Sequence, residues 1–392
     1  MPDPAPSRSQ APPPGSAAPV AFPALAASCQ RQAASRPRPL RILITSDAVG
    51  GVGTHAAALA RALQHRGHTV RLLVCGPSAT APPGVDAEMV PGRLEWMGEG
   101  EGRALATEIA QAQAAVASLA HRWRPDVFHS NQFAFVGAAP ATPTLLAVHS
   151  DVFSWWRTVR GQPPPNDAYH SWYRGVVQRA LTQAAAVVAP THSVLADLRS
   201  SFGFVGGSVL PHGCPSDHRP AAAKQPWAVS LGRLWDEGKQ IELLCRSSLA
   251  LPVFVAGDDR HPLRGQYLLP AAAGVRFLGT LASADVALLL AQASVYIAPS
   301  RYEPFGLAPL EAAHAGCALL LNDIPSFREV WGSAACYFAR DDGDALARCL
   351  QTLASDPGQV RALAAAAAQR ARQLYTAERM AADYETLYRR LL

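Results

Sequence analysis

Residues 300–322 read SRYEPFGLAPLEAAHAGCALLLN and predict a loop followed by a helix. The apolar run at 294–298, immediately before them, is typical of a buried strand. Helix-forming residues follow from about 305 to 315, and Pro309 falls in the first turn, where its missing N–H costs no intrahelical hydrogen bond. A helix start has free N–H groups and the positive end of the dipole, so it can bind anions or hydroxyl groups.

Two glutamates frame this helix start. Glu303 lies in the loop, and Glu311 lies about two turns further along the chain. Each carboxylate oxygen accepts O–H hydrogen bonds, and such charge-assisted bonds are strong, so the pair suits the hydroxyl groups of a sugar. The alternative is an ordinary strand–loop–helix unit in which both glutamates are solvated.

A basic pair precedes another predicted helix in the same half of the chain. A strand is expected at 227–231, followed by Arg233 and Lys239 and then by a helix at about 240–248. A planar guanidinium and a flexible ammonium beside a helix start suit a diphosphate. The alternative is an unremarkable Arg and Lys on the surface.

The N-terminal half begins with a glycine-rich turn. A strand at 41–45 leads into the turn at 46–53, which contains Gly50 and Gly51, and a helix and a second strand follow. This order is typical of the first βαβ unit of a doubly wound sheet. Glycines allow backbone amides to approach a phosphate or a hydroxyl group, although a tight turn without a ligand fits the same residues.

A further predicted strand at 144–148 delivers His149 and Asp151 at its carboxyl end. Ligands of open α/β sheets bind at this edge, so both side chains are candidates for chemistry. Aromatic residues gather downstream and include Trp155 and Trp156. They suit either stacking on an acceptor sugar or packing between helices.

The alternation of strands and helices predicts an α/β protein with two doubly wound, Rossmann-like domains. The predicted boundaries are a disordered Pro/Ala-rich tail at 1–38, an N-terminal domain at 39–213, a linker at 214–225, a C-terminal domain at 226–372 and a terminal helix at 373–392. Within the tail, Cys29 leaves a lipoprotein leader open as an alternative. Thr376 is predicted to cap the terminal helix.

The spacing of Glu303 and Glu311 resembles the E-x7-E signature of retaining GT-B glycosyltransferases of the family 4 type. Arg233 and Lys239 resemble the G-R-x5-K pyrophosphate clamp of the same family. The resemblance implies two domains that face each other across a cleft, with the C-terminal helix crossing back to the N-terminal domain. His212 departs from it, because the family usually has Asn at this position.

The resemblance also implies roles for individual residues. It places four in catalysis: His149, Arg233, Lys239 and Glu303. It places six in donor binding: Gly50, Gly51, Phe305, Gly306, Leu307 and Glu311. The acceptor is assigned to Asp151, Trp155 and Trp156.

The implied reaction moves a hexose from a UDP-, GDP- or ADP-sugar to a hydroxyl group of a glycan, a lipid or a small molecule, with retention of anomeric configuration. No Asp-x-Asp stands at the strand ends that form the cleft, so neither a metal nor another cofactor is expected. A front-face route, in which the departing phosphate accepts the acceptor proton, is the implied mechanism. The alternatives are a nucleotide-sugar epimerase or a sugar phosphorylase on the same fold, and a non-catalytic protein that binds nucleotide sugars.

Composition restricts the partners. Thirty-five basic and 30 acidic residues give a net charge of +5, which is too small and too dispersed for a nucleic-acid binder but compatible with contact at the inner face of an anionic membrane. The chain has no uninterrupted apolar run of the roughly 18 residues that a membrane span needs. Seven scattered cysteines without a C-x-x-C pair indicate reduced thiols and a cytoplasmic protein.

Overall fold

The computed structural model describes residues 38–77, 79–98, 102–215, 220–221, 223–261 and 264–392. The predicted disordered tail and the alternative leader ending at Cys29 therefore lie outside the described residues, apart from position 38.

Among the described residues, the N-terminal half contains one sheet of seven parallel strands in the order β3-β2-β1-β4-β5-β6-β7. The order reverses between β1 and β4, so the sheet is doubly wound with its switch point there. The strands are β1 (Arg41–Asp47), β2 (Thr69–Cys75), β3 (Asp86–Val90), β4 (Val127–Ser130), β5 (Thr144–Ala147), β6 (Ala186–Ala189) and β7 (Ser208–Val209).

In the part of the chain that the structure describes, five α-helices accompany this sheet in sequence, and both of its faces are covered. Ile42 and Ile44 of β1 pack with the first helix, whereas Leu43 points to the opposite face and packs with the second and fourth. The helices are α1 (Gly51–His65), α2 (Gly102–Trp123), α3 (Val152–Trp155), α4 (Ala168–Gln183) and α5 (His192–Phe202).

The described part of the C-terminal half forms a second parallel sheet of six strands in the order β12-β9-β8-β13-β14-β15, again with a switch point beside its first strand. A short antiparallel hairpin stands apart from it. The strands are β8 (Gln225–Leu231), β9 (Val253–Ala256), the hairpin β10 (Arg260–His261) and β11 (Gly265–Gln266), β12 (Val275–Gly279), β13 (Ala293–Ala298), β14 (Ala318–Asn322) and β15 (Cys336–Phe338).

The helices of this half are α6 (Glu242–Arg246), α7 (Ser283–Gln292), α8 (Leu307–His314), α9 (Pro325–Trp331), α10 (Gly343–Ser355), α11 (Pro357–Leu374) and α12 (Ala377–Arg390). None of the helices within the described residues has both the length and the apolar character that a membrane crossing needs. The predicted fold class, two doubly wound α/β domains, is confirmed.

Several predicted bounds differ from the structure. Strand β1 continues to Asp47 and α1 begins at Gly51, so the glycine turn is shorter than predicted and Gly51 lies in the helix. Strand β8 begins at Gln225, which was assigned to the linker, because Gln225 pairs with β13. The predicted helix at 240–248 is reduced to α6 because Gln240 has a left-handed backbone with φ 51.

The last helix returns to the N-terminal domain, as the family resemblance implied. Thr376 caps α12 by accepting a hydrogen bond from the Arg379 amide at 3.2 Å. On the other side of the helix, Tyr384 and Tyr388 are buried in the same core as α1. The Tyr388 hydroxyl lies 2.6 Å from His129 Nδ1, and the Tyr384 ring stacks on the His129 ring. Helix α12 is therefore part of the N-terminal core although it lies at the other end of the sequence.

We expect Tyr388→Ala to lower the stability of the N-terminal domain by about 3–5 kcal/mol, because it removes a fully buried aromatic side chain and leaves His129 unpaired. The matched control is Thr386→Ala on the exposed face of the same helix, which should change little. Thermal unfolding followed by circular dichroism measures both. Equal melting temperatures for the two variants would contradict the packing role of α12.

Candidate active site

A cleft of about 1110 Å³ lies between the two sheets. It is lined by residues that follow the carboxyl ends of strands in both domains, where open α/β sheets bind ligands. All the residues predicted from the sequence for catalysis, donor binding and acceptor binding line it: Gly50, Gly51, His149, Asp151, Trp155, Trp156, Arg233, Lys239, Glu303, Phe305, Gly306, Leu307 and Glu311.

Arg233 follows β8 and is held by a carboxylate of its own loop. Its Nη2 lies 2.6 Å from Asp236 Oδ2, and its guanidinium covers the Trp235 ring at 5.1 Å. Burial alone would raise the pKa of Asp236, but the charges of Arg233 and Lys239 bring it below its usual value. Asp236 is therefore an anion that offsets the positive charge of this loop.

The glycine turn of the N-terminal domain lies against Arg233. Gly50 has φ 82, and a Cβ atom at this position would lie 3.2 Å from Arg233 Nη1. A side chain here would strain the backbone and crowd the guanidinium. Gly51 opens α1 and faces Leu307 across the cleft, because its own hypothetical Cβ would lie 3.5 Å from Leu307 Cδ1.

Lys239 and Glu303 form a direct ion pair between two loops of the C-terminal domain. Both side chains are largely enclosed, with 18% and 14% of their surfaces exposed. The loops are joined further by the Arg301 amide, which donates to the Gly238 carbonyl at 2.8 Å. Ser326 Oγ donates to the Glu303 carbonyl at 2.5 Å and fixes the backbone beside the carboxylate.

Helix α8 begins beside this ion pair. Gly306 precedes it with a left-handed φ of 95, and Phe305 is buried with its ring 4.9 Å from the His212 ring. Glu311 lies within α8 and faces the cleft, where burial raises its pKa to about 7. Glu303 and Glu311, which were predicted to lie about two turns apart, are thus both on the C-terminal wall of the cleft.

His149 lies on the opposite wall in a defined tautomer. Asn131 Nδ2 donates to the Thr45 carbonyl at 2.6 Å, which leaves Asn131 Oδ1 to accept from His149 Nε2 at 2.7 Å. His149 Nδ1 then accepts a hydrogen bond from His212 Nε2 at 3.1 Å. Most of the ring is enclosed, and burial lowers the pKa of His149 to about 4, so the side chain is neutral at physiological pH.

His149 belongs to a group of three histidines that also contains His55 and His212. One ring nitrogen from each lies within 4.8 Å of the others, which makes this the cluster among the described residues that could hold a metal ion. Burial lowers the pKa of both His55 and His212, so their imidazoles are neutral. The ring nitrogens of His55 have no hydrogen-bond partner among the described residues.

The residues assigned to the acceptor have structural contacts of their own. Asp151 caps α3 by accepting from the Ser154 amide at 2.8 Å, and the hydrogen bonds of His149 go to Asn131 and His212 instead. Trp155 Nε1 donates to Asp236 Oδ1 at 3.3 Å and so joins the two domains. Trp156 packs edge-on against His170. All three assignments to the acceptor stay predictions.

Sequence reasoning missed a group at the N-terminal end of the cleft. Asp47 ends β1 and accepts hydrogen bonds from Gln132 Nε2 and, at 3.3 Å, from Trp96 Nε1. Glu95 accepts from the Phe133 amide at 2.9 Å. Burial raises the pKa of Asp47 to about 6 and that of Glu95 to about 7, and the negative charge of Asp47 adds to the second shift.

The only sequence signal for this group was an acidic residue, Asp47, within the predicted glycine turn. Strand β1 was predicted to end two residues too early, at 45, so Asp47 was not seen to stand at a strand end. Glu95 lies in an irregular segment between β3 and α2 and has no motif around it.

Two parallel-sheet domains that face each other across a cleft define the GT-B class of glycosyltransferases. Residues 49–218 match the sequence profile of Glycosyltransferase Family 4, and residues 225–356 match that of Glycosyl transferases group 1. The chain belongs to the family 4, or group 1, glycosyltransferases and is an enzyme of that kind. The sequence-based assignment of the family is confirmed.

Individual similarities agree with this assignment. Glycogen synthase of Mycobacterium tuberculosis is 25% identical over 374 residues, which cover 82% of this chain and 86% of the relative. Sucrose-phosphate synthase from Thermosynechococcus elongatus has a TM-score of 0.73 at 19% identity, covering 90% of this chain and 99% of that structure. Anabaena HepE, solved in complex with UDP-glucose, has a TM-score of 0.66 at 16% identity, covering 89% and 99%. The similarity to these two solved structures is a similarity of fold.

We expect Glu95→Gln to stabilise the protein at pH 8 and to have little effect at pH 5. The pKa of Glu95 is about 7 in the folded state and about 4.5 in the unfolded state. The protonated carboxyl group therefore contributes to the free energy of unfolding in full below pH 4.5, and this contribution is lost as the pH rises through 7. The gain at pH 8 should be on the order of 1–3 kcal/mol.

Melting temperatures at both pH values test this expectation. Glu88→Gln, an exposed carboxylate on β3 of the same domain, is the control. A gain for Glu95→Gln that is the same at pH 5 and pH 8 would show that ionisation of Glu95 is not its source.

Proposed function

We propose that this enzyme transfers a hexose from a nucleotide-diphosphate sugar to a hydroxyl acceptor, with retention of anomeric configuration and without a metal ion. The observation that carries the proposal is the ion-paired wall of the cleft, where Arg233 and Lys239 flank the start of α8 and its neighbour Glu303. The complex of HepE with UDP-glucose supports a nucleotide-sugar donor on this fold.

The leaving group is a nucleoside diphosphate that gains negative charge as the glycosidic bond breaks. Arg233, Lys239 and the amides at the start of α8 stabilise this charge in the cleft. Lys239 reaches the diphosphate by exchanging its ion pair with Glu303 for a phosphate oxygen. Glu303, once released, accepts hydrogen bonds from the sugar hydroxyl groups.

The remaining donor contacts follow from position in the cleft. Glu311 accepts hydrogen bonds from the ribose hydroxyl groups. Burial raises the pKa of Glu311 to about 7, which limits the negative charge that this side chain adds beside the diphosphate. The neutral His149 faces the sugar from the other domain, with its Nε2 proton fixed by Asn131. The departing phosphate oxygen accepts the proton of the attacking hydroxyl group on the same face of the sugar, which retains the anomeric configuration.

Release of nucleoside diphosphate from UDP-, GDP- and ADP-sugars tests the donor and the role of Glu303. Wild type should release nucleoside diphosphate from one of them, and Glu303→Ala should lower kcat by about 100-fold or more, since the sugar loses its carboxylate ligand. Glu242→Ala, at a half-buried carboxylate of the C-terminal domain that does not line the cleft, is the control.

The same assay also tests metal dependence and the anomeric configuration of the product. Activity should persist in excess EDTA, and NMR should show a product anomer that matches the donor. Loss of activity in EDTA with recovery on added Zn²⁺ would contradict metal independence and direct attention to His55, His149 and His212. An inverted product would contradict the front-face mechanism, and equally low release by wild type and Glu303→Ala from every donor would contradict the transferase proposal.

Lys239→Ala should weaken the binding of nucleoside diphosphate by at least tenfold and that of nucleoside monophosphate by much less, because only the diphosphate carries the distal phosphate. Calorimetric titration with the two nucleotides measures the difference. Arg246→Ala, an exposed cation on α6, controls for net charge. Equal losses for both nucleotides would place Lys239 away from the distal phosphate.

A further inference from the structure

We infer that Asp47, Glu95, Trp96 and Gln132 form a binding site for the hydroxyl groups of an uncharged acceptor sugar. This inference rests on the proposed function, because it assigns the acceptor side of the same cleft. It differs from the sequence-based assignment to Asp151, Trp155 and Trp156.

The site is built at the switch point of the N-terminal sheet. Asp47 ends β1 and Gln132 follows β4, and these two strands are neighbours in the sheet. Gln132 Nε2 donates to Asp47 Oδ1, while Trp96 Nε1 donates to Oδ2 at 3.3 Å. The carboxylate is thus oriented by two donors and still has lone pairs on both oxygens.

Two buried acceptor atoms in this site have no partner among the described residues. Glu95 Oε1 accepts from the Phe133 amide, but Glu95 Oε2 is unpaired, and so is Gln132 Oε1. The two residues are only 3% and 2% exposed, yet both line the cleft. Unpaired buried polar atoms are costly: Gln132 Oε1 needs a hydrogen-bond donor, and Glu95 Oε2 needs a donor when the carboxyl is ionised and an acceptor when it is protonated, so a ligand here must supply hydrogen-bonding groups of both kinds. Neighbouring hydroxyl groups of a sugar ring supply them.

The charges at this end favour an uncharged ligand. Arg93, the cation of the adjoining segment, is bound by Glu108 through its amide at 2.6 Å and its Nη2 at 2.9 Å. Asp47 and Glu95 repel a phosphate or carboxylate group once either is ionised, and their burial, which raises the pKa of both, leaves little water to screen that repulsion.

The site lies next to the proposed donor. Asp47 is close enough to Arg233 for the guanidinium charge to lower its pKa, although burial has the larger and opposite effect. Gly50, three residues after Asp47, lies so near Arg233 that a Cβ atom on it would be 3.2 Å from Nη1. A sugar held by Asp47 and Glu95 therefore faces the diphosphate side of the cleft, where its hydroxyl group can attack the donor.

Stimulation of nucleoside diphosphate release by defined acceptors tests the inference. The neutral probes are glucose, mannose, galactose, maltotetraose and octyl glucoside, and the charged probes are glucose 6-phosphate, mannose 6-phosphate and glucosamine. At least one neutral probe should stimulate release of nucleoside diphosphate more strongly than any of the three charged probes does. Maltotetraose and octyl glucoside distinguish a glycan acceptor from a lipid-linked one.

Variants then connect the stimulation to the site. Asp47→Asn and Glu95→Gln are isosteric and should raise KM for the preferred neutral probe at least tenfold. Affinity for nucleoside diphosphate, measured by titration, should stay within twofold, which also shows that the variants are folded. Glu88→Gln on β3 should change neither quantity.

Three results would overturn the inference while leaving the donor site intact: preference for a phosphorylated or amino sugar, no stimulation by any neutral probe, or an unchanged KM in both variants. Failure of the proposed function looks different. In that case wild type neither binds a nucleoside diphosphate nor releases it from any sugar nucleotide, with or without a probe.

Discussion

The two domains are tied together where the chain crosses between them twice. Gly213 approaches the second crossing so closely that a Cβ atom there would lie 2.2 Å from the Thr376 carbonyl oxygen. The Cys214 amide donates to the Tyr375 carbonyl at 3.2 Å, and the Ala377 amide donates to the Cys214 carbonyl at 3.1 Å. This bridge joins the start of α12 to the end of the N-terminal domain, so the relative placement of the two cleft walls depends on it. Glu329 of α9 adds a further contact between the domains by accepting from the amides of His192 and Ser193 at the start of α5.

Two cations of the C-terminal wall, Arg233 and Lys239, are held by carboxylates. Arg233 pairs with Asp236 and Lys239 pairs with Glu303, and all four side chains are partly or largely enclosed. These pairs keep the cations ordered and limit the cost of burying charge before a diphosphate arrives. Under the proposed function, the Lys239–Glu303 pair couples two events, because the phosphate that takes the ammonium frees the carboxylate for the sugar. Asp236 stays with Arg233 and Trp155, so that contact remains structural.

The fold was predictable from the sequence because it rests on local patterns. Apolar strands, glycine turns and helix caps such as Thr376 are encoded within a few residues, and the spacing of Glu303 and Glu311 identified the family. The C-terminal wall of the cleft was predictable for the same reason. The partners of His149 were not, since Asn131 and His212 come from separate segments and meet only in the folded sheet. Glu95 was invisible because its segment has no period and its role depends on burial, which the sequence does not encode locally.

The two ends of the cleft differ in charge, and this difference orients the substrates. At the C-terminal wall, each carboxylate of the ion pairs has its own cation, so a diphosphate finds cations there and can take Lys239 from Glu303, whose carboxylate then accepts from the sugar hydroxyl groups. At the N-terminal end, Asp47 and Glu95 are oriented by neutral donors, and the adjoining Arg93 is bound by Glu108. A diphosphate placed there would meet like charge and find acceptors where it needs donors. A reversed arrangement of donor and acceptor is therefore disfavoured by hydrogen-bond polarity as well as by charge.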